Sequence, residues 1–126
     1  MRADQPDLLF AYGTLAPRSA AEAASGGWLE DEMRGRLFDL GPYPALVDLN
    51  DPSARWVKGY VRYTDLDELG GRLDAYEGVG EGLYRRVAAT TRAGRRAWVY
   101  VYALPLPAGA RELPEGRWRS TSHPGV

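Results

Sequence analysis

The sequence predicts a small mixed α+β barrel with a few short helices. Two patterns carry that expectation: apolar residues fall mainly in short runs of strand length separated by glycine, proline and asparagine, and only two stretches carry helical signals. At 126 residues the chain has the length of one domain and can bury a core without metals or disulfides. Residues 1–104 are assigned to that domain, and residues 105–126 to an irregular tail packed on it or extending from it. The hydrophobic fraction of 44% is that of a globular protein. No stretch approaches the roughly 20 apolar residues of a membrane-crossing helix.

Leu8-Leu9-Phe10-Ala11-Tyr12 is an apolar run closed by Gly13, which suits a buried strand entering a tight turn. Pro17 to Ala24 opens on proline, is rich in alanine and meets Gly26-Gly27, so a short helix is expected there. Trp28 to Leu40 mixes apolar and charged residues in rough alternation and predicts one or two strands with polar outer faces. Gly41-Pro42-Tyr43-Pro44 interrupts regular structure, because proline lacks a donor and restricts the residue before it. A strand resumes over Ala45 to Leu49, Asn50-Asp51-Pro52-Ser53 forms a turn, and Val57 to Tyr63 is a further strand.

Thr64-Asp65-Leu66-Asp67 matches a capping box, and Leu66, Leu69, Leu73 and Tyr76 fall on one helical stripe, the pattern of a helix packed on a core. Gly70-Gly71 inside it costs about 1 kcal/mol per glycine relative to alanine, so either another backbone approaches closely or the helix bends. The glycine-rich segment 78–82 stops that helix. Tyr84 to Thr91 and Arg96 to Leu104 then form a hairpin with Ala93-Gly94 at its tip. Trp98, Tyr100 and Tyr102 share one face of its second strand and are assigned to barrel packing, with Tyr102 a candidate pocket wall. Pro105, Pro107, Gly109, Pro114 and Gly116 make the remainder irregular.

Composition excludes several chemistries. The chain has no cysteine, which removes disulfides, thiolate metal sites and thiol nucleophiles. Its one histidine, His123, lies in the polar tail, so serine and threonine nucleophiles lack a base, and no transition-metal site is expected. The formal net charge of -1 lacks the basic footprint of a nucleic-acid binder. The local cluster of Arg85, Arg86, Arg92, Arg95 and Arg96 is assigned to a solvated strand face and hairpin tip. There is no phosphate-binding G-x-x-x-x-G-K-[ST], and Gly78-x-Gly80-x-Gly82 follows a predicted helix, the reverse of a dinucleotide fingerprint. Met1 to Asp7 lacks the apolar core of a secretory signal, which makes the cytoplasm the expected location. No cofactor, nucleic acid or membrane is expected as a partner, and oligomeric state is left open.

Five motifs recur in a telling order: Phe10-Ala11-Tyr12-Gly13-Thr14-Leu15, Gly41-Pro42-Tyr43-Pro44-Ala45-Leu46, Leu73-Asp74-Ala75-Tyr76-Glu77-Gly78, Tyr84-Arg85-Arg86, and Ala97-Trp98-Val99-Tyr100-Val101-Tyr102. Together, from about Leu8 to Leu104, they resemble the γ-glutamylcyclotransferase-like (AIG2-like) superfamily. The resemblance, and it alone, implies a small-molecule substrate: it implies that fold and an enzyme that releases 5-oxoproline from a γ-glutamyl amine, amide or peptide, without a metal. It implies that the amides of Tyr12, Gly13, Thr14 and Leu15 receive the carboxylate end of the substrate. Glycine permits a sharp turn, and successive N–H groups form an anion-binding concavity. The same four residues also suit an ordinary strand-to-helix turn in which Thr14 caps.

The resemblance further implies that Glu77, between Tyr76 and Gly78 at the predicted helix end, shuttles the proton. A carboxyl can serve if partial burial raises its pKa from about 4.3 toward neutrality. A solvent-facing carboxylate there is the alternative, although the helix dipole disfavours it. Tyr84 is implied to stand near the substrate or the glutamate, and Tyr43 is a candidate held over the pocket by its flanking prolines. Either could equally be a packing aromatic. Relatives act on different γ-glutamyl compounds, so the leaving amine stays open, and a non-catalytic binding module of the same fold is the alternative function.

Overall fold

The computed structural model describes residues 6–13, 16–17, 19–41, 43–65, 73 and 82–118. Among these, the chain forms β1 (Leu8–Ala11), α1 (Ala20–Ser25), β2 (Leu29–Asp39), β3 (Pro44–Val47), β4 (Arg55–Tyr63), β5 (Tyr84–Thr90), β6 (Arg96–Tyr102) and β7 (Arg111–Glu112). The strands join in the order β3-β2-β4-β1-β6-β5, with β7 on β2, and the mixed sheet curls into a half-barrel. The β1 and β6 strands are parallel, and the other pairs are antiparallel. The predicted helix between β4 and β5 lies outside the described residues apart from Thr64, Asp65 and Leu73.

Burial of β1 on both faces explains its uninterrupted apolar run. Phe10 points into the main core with Met33, Leu37, Leu46, Val57, Val61, Ala97, Val99 and Val101, while Leu9 faces the other way into a second cluster with Leu73, Tyr84 and Tyr100. The alternation on β6 divides in the same way. Its small residues fill the barrel, and Trp98, Tyr100 and Tyr102 pack in or against the second cluster. The aromatic face thus packs on a second cluster, apart from the one that holds Phe10. Ala97, Val99 and Val101 share the main cluster with Phe10, and Tyr100 shares the second with Leu73.

The long β2 strand changes partner along its length. Leu29 to Gly35 pair with β4, and Arg36 to Asp39 pair with β3. At the switch, a Cβ on Gly35 would overlap the fully buried Leu46 side chain. Glycine thus lets β3 fold tightly across the barrel mouth.

Three local differences from the sequence reading have simple causes. Helix α1 begins at Ala20 and not at Pro17, because the Ser19 hydroxyl accepts the Glu22 N–H at 3.1 Å and fixes the first turn. Pro44, read as part of the interruption, starts β3, the one strand position where a missing donor is tolerated at an edge. The tail, read as irregular, supplies β7: Phe38 pairs with Glu112 and Asp39 with Arg111. Leu113 enters the main core, its N–H donating to the Leu37 carbonyl at 2.8 Å, and the Lys58 N–H donates to the Gly116 carbonyl at 2.7 Å. A two-residue strand among prolines leaves no periodic trace in the sequence.

The hairpin tip between β5 and β6 is docked on β2, a closer engagement than the solvated tip expected. Arg92 pairs with Glu32 at 2.7 Å, and the Arg95 guanidinium donates to the Asp31 carboxylate at 2.8 Å. The Asp31 side chain is 2% exposed, and the amides of Glu32 and Ala93 also donate to it. Burial alone would raise its pKa, but the hydrogen bonds from Thr91, the Glu32 amide, Arg95 and the Ala93 amide outweigh it and hold the carboxyl below the usual range. Its contribution to stability is therefore complete above the unfolded carboxylate value near 3.9 and is lost as pH falls through the lowered folded value. Asp31→Asn should destabilise the fold by about 2 kcal/mol at pH 7. In urea unfolding at a series of pH values, the gap between wild type and variant should close below about pH 4. A gap independent of pH would contradict the assignment.

Candidate functional site

The C-terminal ends of β1 and β6 and the N-terminal ends of β3 and β5 meet at one end of the half-barrel. The register alone does not suggest this. Ala11 pairs with Tyr60 and Tyr60 with Glu30, whereas Pro44 pairs with Asp39, and from Glu30 to Asp39 is about 30 Å of extended strand. Curling at Gly35 brings the two levels together, so that Gly13, just past β1, lies against Pro44 at the start of β3.

Gly13 is required there. A Cβ on it would stand 2.7 Å from Pro44 Cγ and 3.0 Å from Pro44 Cδ, and a proline ring cannot swing aside. The Ala16 N–H donates to the Gly13 carbonyl at 2.9 Å and ties the two ends of the segment together. Tyr12 is buried in the main core, where its ring stacks on Phe10 and its hydroxyl donates to the Tyr100 carbonyl at 2.5 Å. The Tyr12 side chain therefore anchors the loop to β6 from below.

Pro44 is held from the other side. The Tyr84 hydroxyl donates to the Pro44 carbonyl in a buried bond of 2.6 Å. The register places Tyr84 directly opposite Tyr102, and their rings meet edge to face with centroids 5.4 Å apart. Tyr43 meets the Tyr84 ring at 6.2 Å, also edge to face, and is 36% exposed, which puts it at the rim. Of the residues singled out in the sequence, the structure thus joins Tyr12, Gly13, Tyr43, Tyr84 and Tyr102 in one contiguous set. Thr14, Leu15 and Glu77 lie outside the described residues.

Two contributors escaped the sequence reading. Pro44 does more than interrupt regular structure and flank Tyr43: its ring and carbonyl connect the glycine loop to the aromatic wall. Asp39 shapes the turn that delivers Tyr43 and Pro44: its carboxylate accepts the Gly41 N–H at 2.8 Å, and Gly41 has a φ of 101°. The Gly41 amide is the chief cause of its lowered pKa, with burial opposing and with Arg111 and Trp118 of the tail adding to it. The Asp39-x-Gly41 spacing was the available signal for that turn. Among the described residues, no cluster of His, Cys, Asp and Glu could hold a metal ion, and no helix is long and apolar enough to cross a membrane.

The family model for γ-glutamyl cyclotransferase, AIG2-like proteins matches residues 9–120. The chain belongs to that family. Three solved structures share its fold. YkqA from Bacillus subtilis is 21% identical with a TM-score of 0.64, the match covering 90% of this chain and 40% of that one. This γ-glutamyl cyclotransferase, AIG2-like chain therefore spans less than half the length of that relative. The uropathogenic E. coli-specific protein c4763 is 20% identical with a TM-score of 0.67, covering 90% of this chain and 92% of its own. An aig2-like protein from Mus musculus is 23% identical with a TM-score of 0.54 and 80% coverage of each chain. At these identities the likeness is one of fold. No curated protein matches the sequence at a significant level.

Tyr12→Phe removes a buried hydroxyl and leaves the Tyr100 carbonyl without that donor. It should lower unfolding stability by about 1 kcal/mol, measured by urea denaturation. A variant as stable as wild type would show that the bond does not anchor the loop.

Proposed function

We propose that this chain is a cyclotransferase that converts a γ-glutamyl amine, amide or peptide to 5-oxoproline and a free amine. The observation that supports it most is the Gly13 backbone, packed on Pro44 at a distance only glycine allows and set beside a wall of Tyr43, Tyr84 and Tyr102. A backbone segment with so little side-chain bulk can approach a ligand closely and offer it N–H groups. The Tyr12 to Leu15 segment then receives the carboxylate end of the glutamyl group. The tyrosine wall flanks the remainder of the substrate.

In the reaction the substrate's α-amine attacks its own γ-carbonyl carbon. One C–N bond forms, the bond to the leaving amine breaks, and no water or redox partner is consumed. A proton must leave the attacking nitrogen and another must reach the departing one. Glu77 performs both transfers in turn, as base and then as acid. Orientation supplies most of the rest, since well-aligned intramolecular reactions reach effective molarities on the order of 10⁵ M or more.

The test is 5-oxoproline release from a panel of γ-glutamyl amines, γ-glutamyl dipeptides and γ-glutamyl-ε-lysine, comparing wild type with Glu77→Gln. Turnover should fall by about 100-fold or more in the variant, with substrate affinity changed by only a few fold. Binding without release by the wild type would favour a non-catalytic binding module. Equal turnover by both proteins would remove Glu77 from the mechanism.

A further inference from the structure

The chain of contacts Tyr84–Pro44–Gly13 runs between two parts of the site that the sequence treats as separate motifs. Its links differ in kind. Tyr84 to Pro44 is a buried phenol-to-carbonyl hydrogen bond of 2.6 Å, and Pro44 to Gly13 is steric, with the ring against a backbone that has no room for a Cβ. Pro44 is buried, and the Tyr43 carbonyl accepts the Leu40 N–H at 3.1 Å, so the residue before it is fixed as well. A proline ring has almost no internal freedom, so a displacement of its backbone becomes a displacement of the ring face that meets Gly13.

We propose that Pro44 is the positioning residue of the glycine loop: Tyr84 holds it through the carbonyl, and its ring sets where the Gly13 backbone stands and hence how well the site grips a γ-glutamyl group. This rests on the cyclotransferase reading and adds to it a determinant of affinity that lies outside the loop. Pro44 and Tyr84 act in series, so breaking either link releases the same loop. A ring that merely stabilised β3 would change melting temperature without altering substrate affinity.

The experiment compares Gly13→Ala, Pro44→Ala and the double variant in steady-state 5-oxoproline release. In parallel, calorimetry in a Glu77→Gln background reads binding of the best panel substrate. Gly13→Ala should weaken binding about tenfold or more, because the new methyl meets the ring. Pro44→Ala alone should raise KM about 3- to 10-fold with kcat nearly unchanged. The double variant should bind more tightly than Gly13→Ala alone, because the obstructing ring is gone. A double variant as weak as the product of the two single effects would overturn the proposal.

Should Gly13→Ala fail to fold, Tyr84→Phe and Pro44→Ala decide the matter. Acting in series, their combined effect on KM should be no larger than the greater single effect, whereas multiplying effects would overturn the coupling. A wild type that neither binds nor turns over any γ-glutamyl compound would remove the cyclotransferase reading and this inference together. A wild type that turns over normally beside uncoupled variants would remove the inference alone.

Discussion

Where Gly35 meets Leu46, β2 passes from one partner strand to another, and the geometry of the site follows from that contact. A side chain at position 35 would have to displace Leu46, which is wholly buried among the residues that fill the barrel. Interiors packed at crystal-like density yield little to such a demand. With glycine there, the second half of β2 carries β3 across the barrel mouth. Pro44 then arrives at Gly13 although the two belong to distant levels of the hydrogen-bond ladder.

Closure at the opposite margin depends on polar contacts of an unusual economy. Asp31 gathers the Ala93 amide, the Thr91 hydroxyl and the Arg95 guanidinium from the β5–β6 tip onto β2, where it also accepts the amide of its neighbour Glu32. At the site end, two tyrosine hydroxyls cap backbone carbonyls, Tyr12 on Tyr100 and Tyr84 on Pro44. A phenol suits this task because its ring adds apolar area to the packing while its tip satisfies a buried acceptor. Each such bond joins segments far apart in sequence, and neither uses a charged side chain.

Elements whose cause is local were legible in the sequence. The apolar run of β1, the alternation of β2, the strand read at Val57 to Tyr63 and the glycine-turned β5–β6 hairpin correspond to strands within a few residues. Ser19 shows how a local signal can still be misjudged, since proline at position 17 looked like a helix start until a hydroxyl cap two residues on fixed the true one. What escaped were contacts made across the fold: β7 on β2, the tail on Asp39, and the gathering of Trp98, Tyr100 and Tyr102 about a second cluster. Alternation on a strand reveals that two faces differ. Which cluster each face joins depends on partners far away in sequence, Phe10, Met33, Leu37 and Leu46 for one face and Leu9, Leu73 and Tyr84 for the other.

The tyrosines of the site illustrate the same limit at the level of function. Tyr12, Tyr43, Tyr84 and Tyr102 were marked by motif, but the motif does not separate the side chain that meets a ligand from the one that braces a wall. Their surroundings differ: Tyr12 and Tyr84 spend their hydroxyls on backbone carbonyls, whereas Tyr43 lies at the rim, 36% exposed. On the proposed cyclotransferase reading, in which a molecule closes on itself, this division of labour is chemically sensible. The gain from enclosing such a substrate is orientational, and a binding segment that wanders by 1 Å loses much of it. Gly13 has no side chain of its own and is braced by its neighbours. Here a proline ring and two anchored phenols are positioned to do so, which ties the precision of the site to the closure of the barrel at Gly35.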